Sequence, residues 1–233
     1  DRPFFSPFAK WATGIKFIRE FHQDSIAFPD SVYFPGKYKF NSQDYWVGYA
    51  MHIFKGNTEK NRTTNLITTI RFLRIRFLEK PLEMVDPQNN YSDEHSYLAG
   101  VGISSRRYYK DSYIFKYGVT EDVPVGVVYG VTGGYQIQNN IGRIYVGARF
   151  STGNYFNYGY ISTNIEYGTF FLASQLQQGM INGSINYFTE LKTIGKWKFR
   201  QFVKPQLTIG LNRFSYDSLT INDGYGIDGF NSK

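Results

Sequence analysis

In residues 142–153 the even positions are Ile144, Val146, Ala148 and Phe150, and the odd ones are Arg143, Tyr145, Gly147, Arg149 and Ser151. One face is apolar and the other polar, small or charged, which is the period-two signature of a strand lying between two different solvents. Residues 126–138 set Val127, Tyr129, Val131, Tyr135 and Ile137 against Thr132, Gln136, Gln138 and three glycines. Residues 158–171 oppose Ile161, Ile165, Tyr167 and Phe171 to Ser162, Asn164 and Glu166, and 179–189 oppose Ile181, Ile185 and Tyr187 to Asn182, Ser184 and Asn186. The stretch 197–213 sets Trp197, Phe199, Val203, Leu207, Ile209 and Leu211 against Lys198, Arg200, Lys204, Gln206, Thr208 and Asn212.

Earlier in the chain Trp11, Ile15 and Phe17 alternate with Lys10 and Lys16, and Val47, Tyr49, Met51 and Ile53 share a phase. Residues 97–109 and 113–119 continue the series. In 65–78 the apolar phase runs through Leu66, Ile70 and Phe72, then shifts to Leu73, Ile75 and Phe77, and a β-bulge near Phe72 accounts for the slip. The pattern predicts about ten strands, most of about 10–14 residues. That length exceeds the globular mode and suits a tilted membrane crossing of about 9–11 residues. Aromatic pairs such as Tyr108 and Tyr109, Phe170 and Phe171, and Tyr187 and Phe188 stand near strand ends, as interfacial girdles do. The expected fold is therefore all-β, an antiparallel transmembrane β-barrel forming a single domain over residues 1–233.

Turn residues place connectors at 123–126, 152–157 and 191–196 on one side, periplasmic because they are short. Connectors 110–112, 139–142 and 172–178, and everything after Arg213, fall on the outer side. Parity puts the longer connectors 21–43 and 79–95 on the periplasmic side.

Composition agrees: 21 Phe, 20 Tyr and 23 Gly favour strands over helices. Zero cysteines exclude disulfides and thiolate metal sites, and His22, His52 and His95 have no ligand spacing. No cofactor is expected. No nucleophile triad or carboxylate pair points to an enzyme. The net charge of +7 comes from scattered single and paired basic residues, which does not suit nucleic-acid binding. Instead the phase puts Lys10, Lys16, Arg74, Arg76, Arg106, Lys116, Arg143, Arg149, Lys198, Arg200 and Lys204 in a lumen with one carboxylate, Glu166. Such a basic interior is either a conduit for polar or anionic segments or a set of charges that pair with one another and with water.

The last segment, 214–233, differs. Its Gly-containing turns around Ile227 and Phe230 make a compact loop with apolar anchors. The tetrad Ile227, Asp228, Gly229 and Phe230 resembles the aliphatic, Arg, Gly, aromatic motif of the bacterial surface antigen family, the superfamily of outer-membrane protein assembly factors and two-partner secretion transporters. Asp228 stands where that family has Arg. The whole chain is similar to sequences of Bacteroidetes-type bacteria. The resemblance implies a barrel of about sixteen strands in the bacterial outer membrane, about ten of them present here. It also implies that 214–233 is an extracellular loop folding into the lumen, and that the final strands belong to a longer protein. The function so implied is insertion of proteins into the outer membrane or their translocation across it. Its partners would be the lipid bilayer, unfolded outer-membrane or secreted clients, and periplasmic accessory subunits. The alternatives are a passive pore or structural barrel, or the membrane anchor of an upstream domain.

Overall fold

The computed structural model describes residues 1–27, 33–83, 86 and 89–213. Eight long strands follow one another as an antiparallel meander: β1 (Trp11–Ala27), β2 (Tyr33–His52), β3 (Thr64–Glu79), β4 (Glu94–Ser112), β5 (Thr120–Gln138), β6 (Ile141–Phe156), β7 (Gly159–Leu172) and β8 (Gln175–Phe188). A short helix α1 (Glu59–Thr63), capped by the Thr58 side chain, precedes β3. A separate hairpin of β9 (Lys192–Ile194) and β10 (Trp197–Phe199) follows β8. The chain then returns along β8 as β11 (Phe202–Val203) and β12 (Gln206–Leu211). The sheet holds ten strands, running from β1 at one edge to β11 and β12 at the other. Among the described residues no ladder joins the two edges.

The register carries the alternation across the whole sheet. Val47 lies opposite Ile70, Val101 opposite Val131, Phe150 opposite Ile165, and Ile181 opposite Ile209. These residues share one face. Their side chains have no second layer to bury them: Phe17 is 65% exposed, Ile70 64% and Leu207 62%. Few apolar residues are fully buried, among them Ala12, Ala50, Val123, Val125, Tyr160 and Phe188. Chain connectivity is supplied by ladder hydrogen bonds, and the apolar payload lies on a surface instead of in a core.

Several boundaries differ from expectation. Residues 113–119 form the β4–β5 connection, turned by Tyr113 (φ 60°) and Gly118 (φ 69°), and not a strand. The Val-Pro-Val-Gly stretch 123–126 lies within β5. Pro124 is tolerated there because that part of β5 pairs only with β4, so no ladder needs its missing N–H on the other side. Much of 21–43 is paired strand, with β1 and β2 matched as far as Ala27 opposite Tyr33. The β5–β6 turn is the two residues Asn139 and Asn140, both at positive φ (53° and 60°), as a tight hairpin turn requires.

Losing 113–119 as a strand reverses parity downstream. Connections 53–63, 113–119, 157–158 and 189–205 share one end of the sheet. The end of β1, the end of β3 and the turns 139–140 and 173–174 share the other. The β6–β7 turn is thus at the end of the sheet opposite to where β1 and β3 finish, contrary to the sequence assignment.

Nor does β3 bulge at Phe72. Its pairing is unbroken there on both sides, and the shift falls at Lys39/Phe40. Arg74 and Arg76 therefore follow Ile70 and Phe72 on the apolar face, and not on the expected lumen face. Arg74 lies opposite Gln43 and His95, a polar row that ends the apolar band. The stretch 197–213 is not one strand either: β10 pairs with β9, and Pro205 separates β11 from β12. Segment 214–233, with Ile227, Asp228, Gly229 and Phe230, lies outside the described residues.

Candidate functional site

The polar face is shallow because small residues occupy its middle: Gly100, Gly102, Gly130, Thr132, Gly147 and Gly168. Tyr145 lies over Gly147 and Gly168, where a Cβ would come within 2.7 and 2.6 Å of its hydroxyl. The result is a groove of about 630 Å³ whose walls include Arg71, Glu94, Gln136, Arg149, Glu166 and Phe170. Its charges are tied down. Arg71 donates to Asp44 through Nε (2.8 Å) and a terminal nitrogen (2.5 Å), and Arg149 meets Glu166 at 3.2 Å. Asn164 accepts from Arg149 and donates to Glu166, each at 3.2 Å.

Arg143 is buried on the same face. It donates to the side-chain carbonyls of Gln136, Gln138 and Gln178, the last at 2.7 Å, and its guanidinium lies 4.5 Å from the Phe170 ring centre. Gln178 reaches it because the β7–β8 register shifts at Gly168/Phe170 and Gln178 itself adopts φ 48°. The bulge re-aims one side chain toward the guanidinium.

At the end shared by connections 113–119 and 189–205 a second arrangement covers this face. Gly126 (φ 131°) is the last β5 residue paired with β6, and a Cβ there would collide with the Ser105 carbonyl. Beyond it the β4–β5 hairpin leaves the sheet and packs Val123 and Val125 against Tyr160 and Phe188. Tyr160 donates its hydroxyl proton to the Pro124 carbonyl at 2.7 Å. Asp111, near the hairpin tip, receives two contacts from an Arg200 terminal nitrogen (3.1 and 3.0 Å) and one from the Tyr155 hydroxyl (3.0 Å). Arg200 also donates to the Ser112 carbonyl at 2.9 Å and lies 4.9 Å from the Phe188 ring centre. Its side chain is 5% exposed, so this ion pair sits under cover while the other polar-face pairs remain in the open. Lys198 reaches the Tyr113 hydroxyl at 2.7 Å, and Lys204 lies over the Phe115 ring. The segment after β8 thus clasps the hairpin through three cations.

Of the residues singled out by phase, Arg143, Arg149 and Glu166 lie on the polar face, and Arg106 sits opposite Gly126 where β4 departs from the sheet. Lys116 lies in the β4–β5 connection and Lys198 in the separate hairpin, so neither belongs to the ten-stranded sheet. Arg200 and Lys204 are joined with Lys198 in the clasp. The expectation of one carboxylate is corrected: Asp44 and Glu94 share the face of Glu166 by register. Asp44 was legible in the phase of Val47 and Tyr49. Asp111 and Tyr155 were not, because they had been assigned to connectors.

No family model, curated protein or solved structure matches the chain.

Proposed function

We propose that the chain forms membrane wall of a bacterial outer-membrane β-barrel, with its apolar face on lipid and its polar face lining a hydrated interior. The observation that carries this reading is the exposed apolar face running through every long strand. A soluble protein rarely exposes a contiguous apolar patch beyond a few hundred Å². Each large apolar side chain gains about 1.5–3 kcal/mol on leaving water. The dimensions agree. In β5 the band runs from Val127 to Ile137, and ten steps of about 3.4 Å tilted about 45° rise about 24 Å, against about 25 Å for an outer-membrane apolar belt.

Within that class the barrel handles polypeptides, inserting them into the membrane or passing them across it. A shallow groove of mixed lining, with small residues at its centre and paired charges along it, supports this, since it accommodates an extended segment without requiring chemistry from side chains. The hairpin folded over one end supplies a cover that can be displaced.

Two experiments test the two levels. In vesicles of brominated lipid, a variant retaining Trp11 should be quenched and one retaining Trp46, on the polar face, should not; equal behaviour of the two overturns the wall. Vesicles carrying the protein should also speed the folding of an added unfolded outer-membrane barrel over protein-free vesicles. Unchanged folding together with steady ion conductance would favour a passive pore.

A further inference from the structure

Where the β4–β5 hairpin folds away from β6, the apolar face is left with a hollow of about 740 Å³. Its lining includes Ile103, Val127 and Tyr129, which continue the apolar band by register, with Ile53 and Phe54, and the hydroxyls of Thr64, Ser105 and Thr152 stand among them. Arg107 stands at its rim. The Arg107 side chain is 60% exposed, and its one ion pair, to Glu59 at 3.7 Å, joins two open groups and is worth little. A second observation concerns charge. Connections at this end of the sheet carry nine Lys or Arg against two carboxylates, three of the nine (Lys198, Arg200 and Lys204) being engaged in the clasp, whereas the described residues of the connections at the other end carry one against three.

We propose that this hollow is a binding site for an anionic phosphate-bearing lipid of the bilayer. One acyl chain lies over Ile103, Val127 and Tyr129, and the headgroup phosphate meets the Arg107 guanidinium. The hollow opens on the face that the preceding reading puts against lipid, and the inference rests on that reading. A mainly apolar trough fits a hydrocarbon chain, and its hydroxyls suit the ester region next to a headgroup. A guanidinium presents paired N–H donors matched to phosphate oxygens, and the basic end adds long-range attraction for the same sign of headgroup. A zwitterionic lipid fills the trough equally well but gains less from the charge.

The test uses the whole chain in vesicles, with Tyr129→Trp as the reporter and the native tryptophans replaced by Phe. Bromine is carried either by phosphatidylglycerol or by the same mole fraction of phosphatidylcholine. The reporter should prefer the brominated phosphatidylglycerol by about fivefold or more, and Arg107→Gln should cut that preference several-fold. A parallel variant retaining Trp11 alone should be quenched similarly by both lipids. Equal quenching of the reporter by the two lipids, with Trp11 still quenched, overturns the lipid site and leaves the wall intact. A preference that Arg107→Gln leaves unchanged also overturns it. Failure of either lipid to quench Trp11 overturns the membrane reading instead.

Discussion

The middle of the sheet, from β5 to β8, and the hairpin that β4 and β5 form beyond Gly126 are made of similar residues arranged in similar alternation. In the middle, each strand is paired on both sides, so successive side chains alternate between two fixed environments. Phe150 and Ile165 stay exposed on one face, while Arg149 and Glu166 pair on the other. In the hairpin β5 has lost β6. Val123 and Val125 occupy odd positions like Val127 and Val131, yet they are buried against Tyr160 and Phe188. Two-sided pairing is what makes alternation a guide to environment. Where pairing is one-sided, the strand is free to turn its apolar positions onto whatever surface lies near.

Breaking the clasp should have the largest effect. Asp111→Ala leaves the Arg200 guanidinium covered without its carboxylate, and removing one partner of a buried pair costs about 3–5 kcal/mol. Amide hydrogen exchange in residues 107–112 and 120–125 should accelerate while β6 and β7 keep their protection; unchanged exchange in the hairpin would mean the ion pair does not hold it. Next, Gly126→Val introduces a β-branched residue at φ 131° against the Ser105 carbonyl, a strain of about 1–3 kcal/mol or more. Gly133→Ala, with nothing within 4 Å of the new Cβ, should be neutral or slightly stabilising in denaturant titration. If the two substitutions cost the same, the bend at Gly126 is not a structural requirement.

The chain has no cysteine, so single introduced thiols sharpen the contrast of faces. In vesicles, Asn164→Cys should react with a water-soluble maleimide several-fold faster than its neighbour Ile165→Cys; equal rates would mean both positions see the same solvent. The smallest effect belongs to Glu166→Gln. The Arg149 and Glu166 side chains are 55% and 39% exposed, and such pairs contribute under about 1 kcal/mol, fading as salt rises. A larger, salt-independent loss would show that the groove is drier than its exposure indicates.

The two-faced sheet was legible because period two is a local property that survives any choice of partner. The faces of β5 to β8 could be read from residues such as Ile144 and Arg143 without knowing what they pair with. The hairpin was not legible. Val-Pro-Val-Gly has the composition of a turn, and only the absence of a β6 partner makes it an acceptable strand. In β3 an apolar phase change suggested a bulge, whereas the strand runs straight through the edge of the apolar band, where Leu73 and Ile75 point to the polar side and Arg74 to the other. The clasp joins Asp111 to Arg200 across 89 positions of sequence, and no short-range pattern encodes that separation.

Pro205 has a consequence for the order in which the sheet comes apart. With no N–H at that point, the last pass is held to β8 by two short ladders, two residues in β11 and six in β12, with only the bond from the Ile185 N–H to the Pro205 carbonyl (3.0 Å) between them. Cooperative units set how far a local opening spreads. The gap lets β12 detach from β8 without dragging β11, which remains anchored beside Phe188 through Phe202. Slow pulling from the carboxyl-terminal side would therefore release this pass in two steps, the outer six residues first.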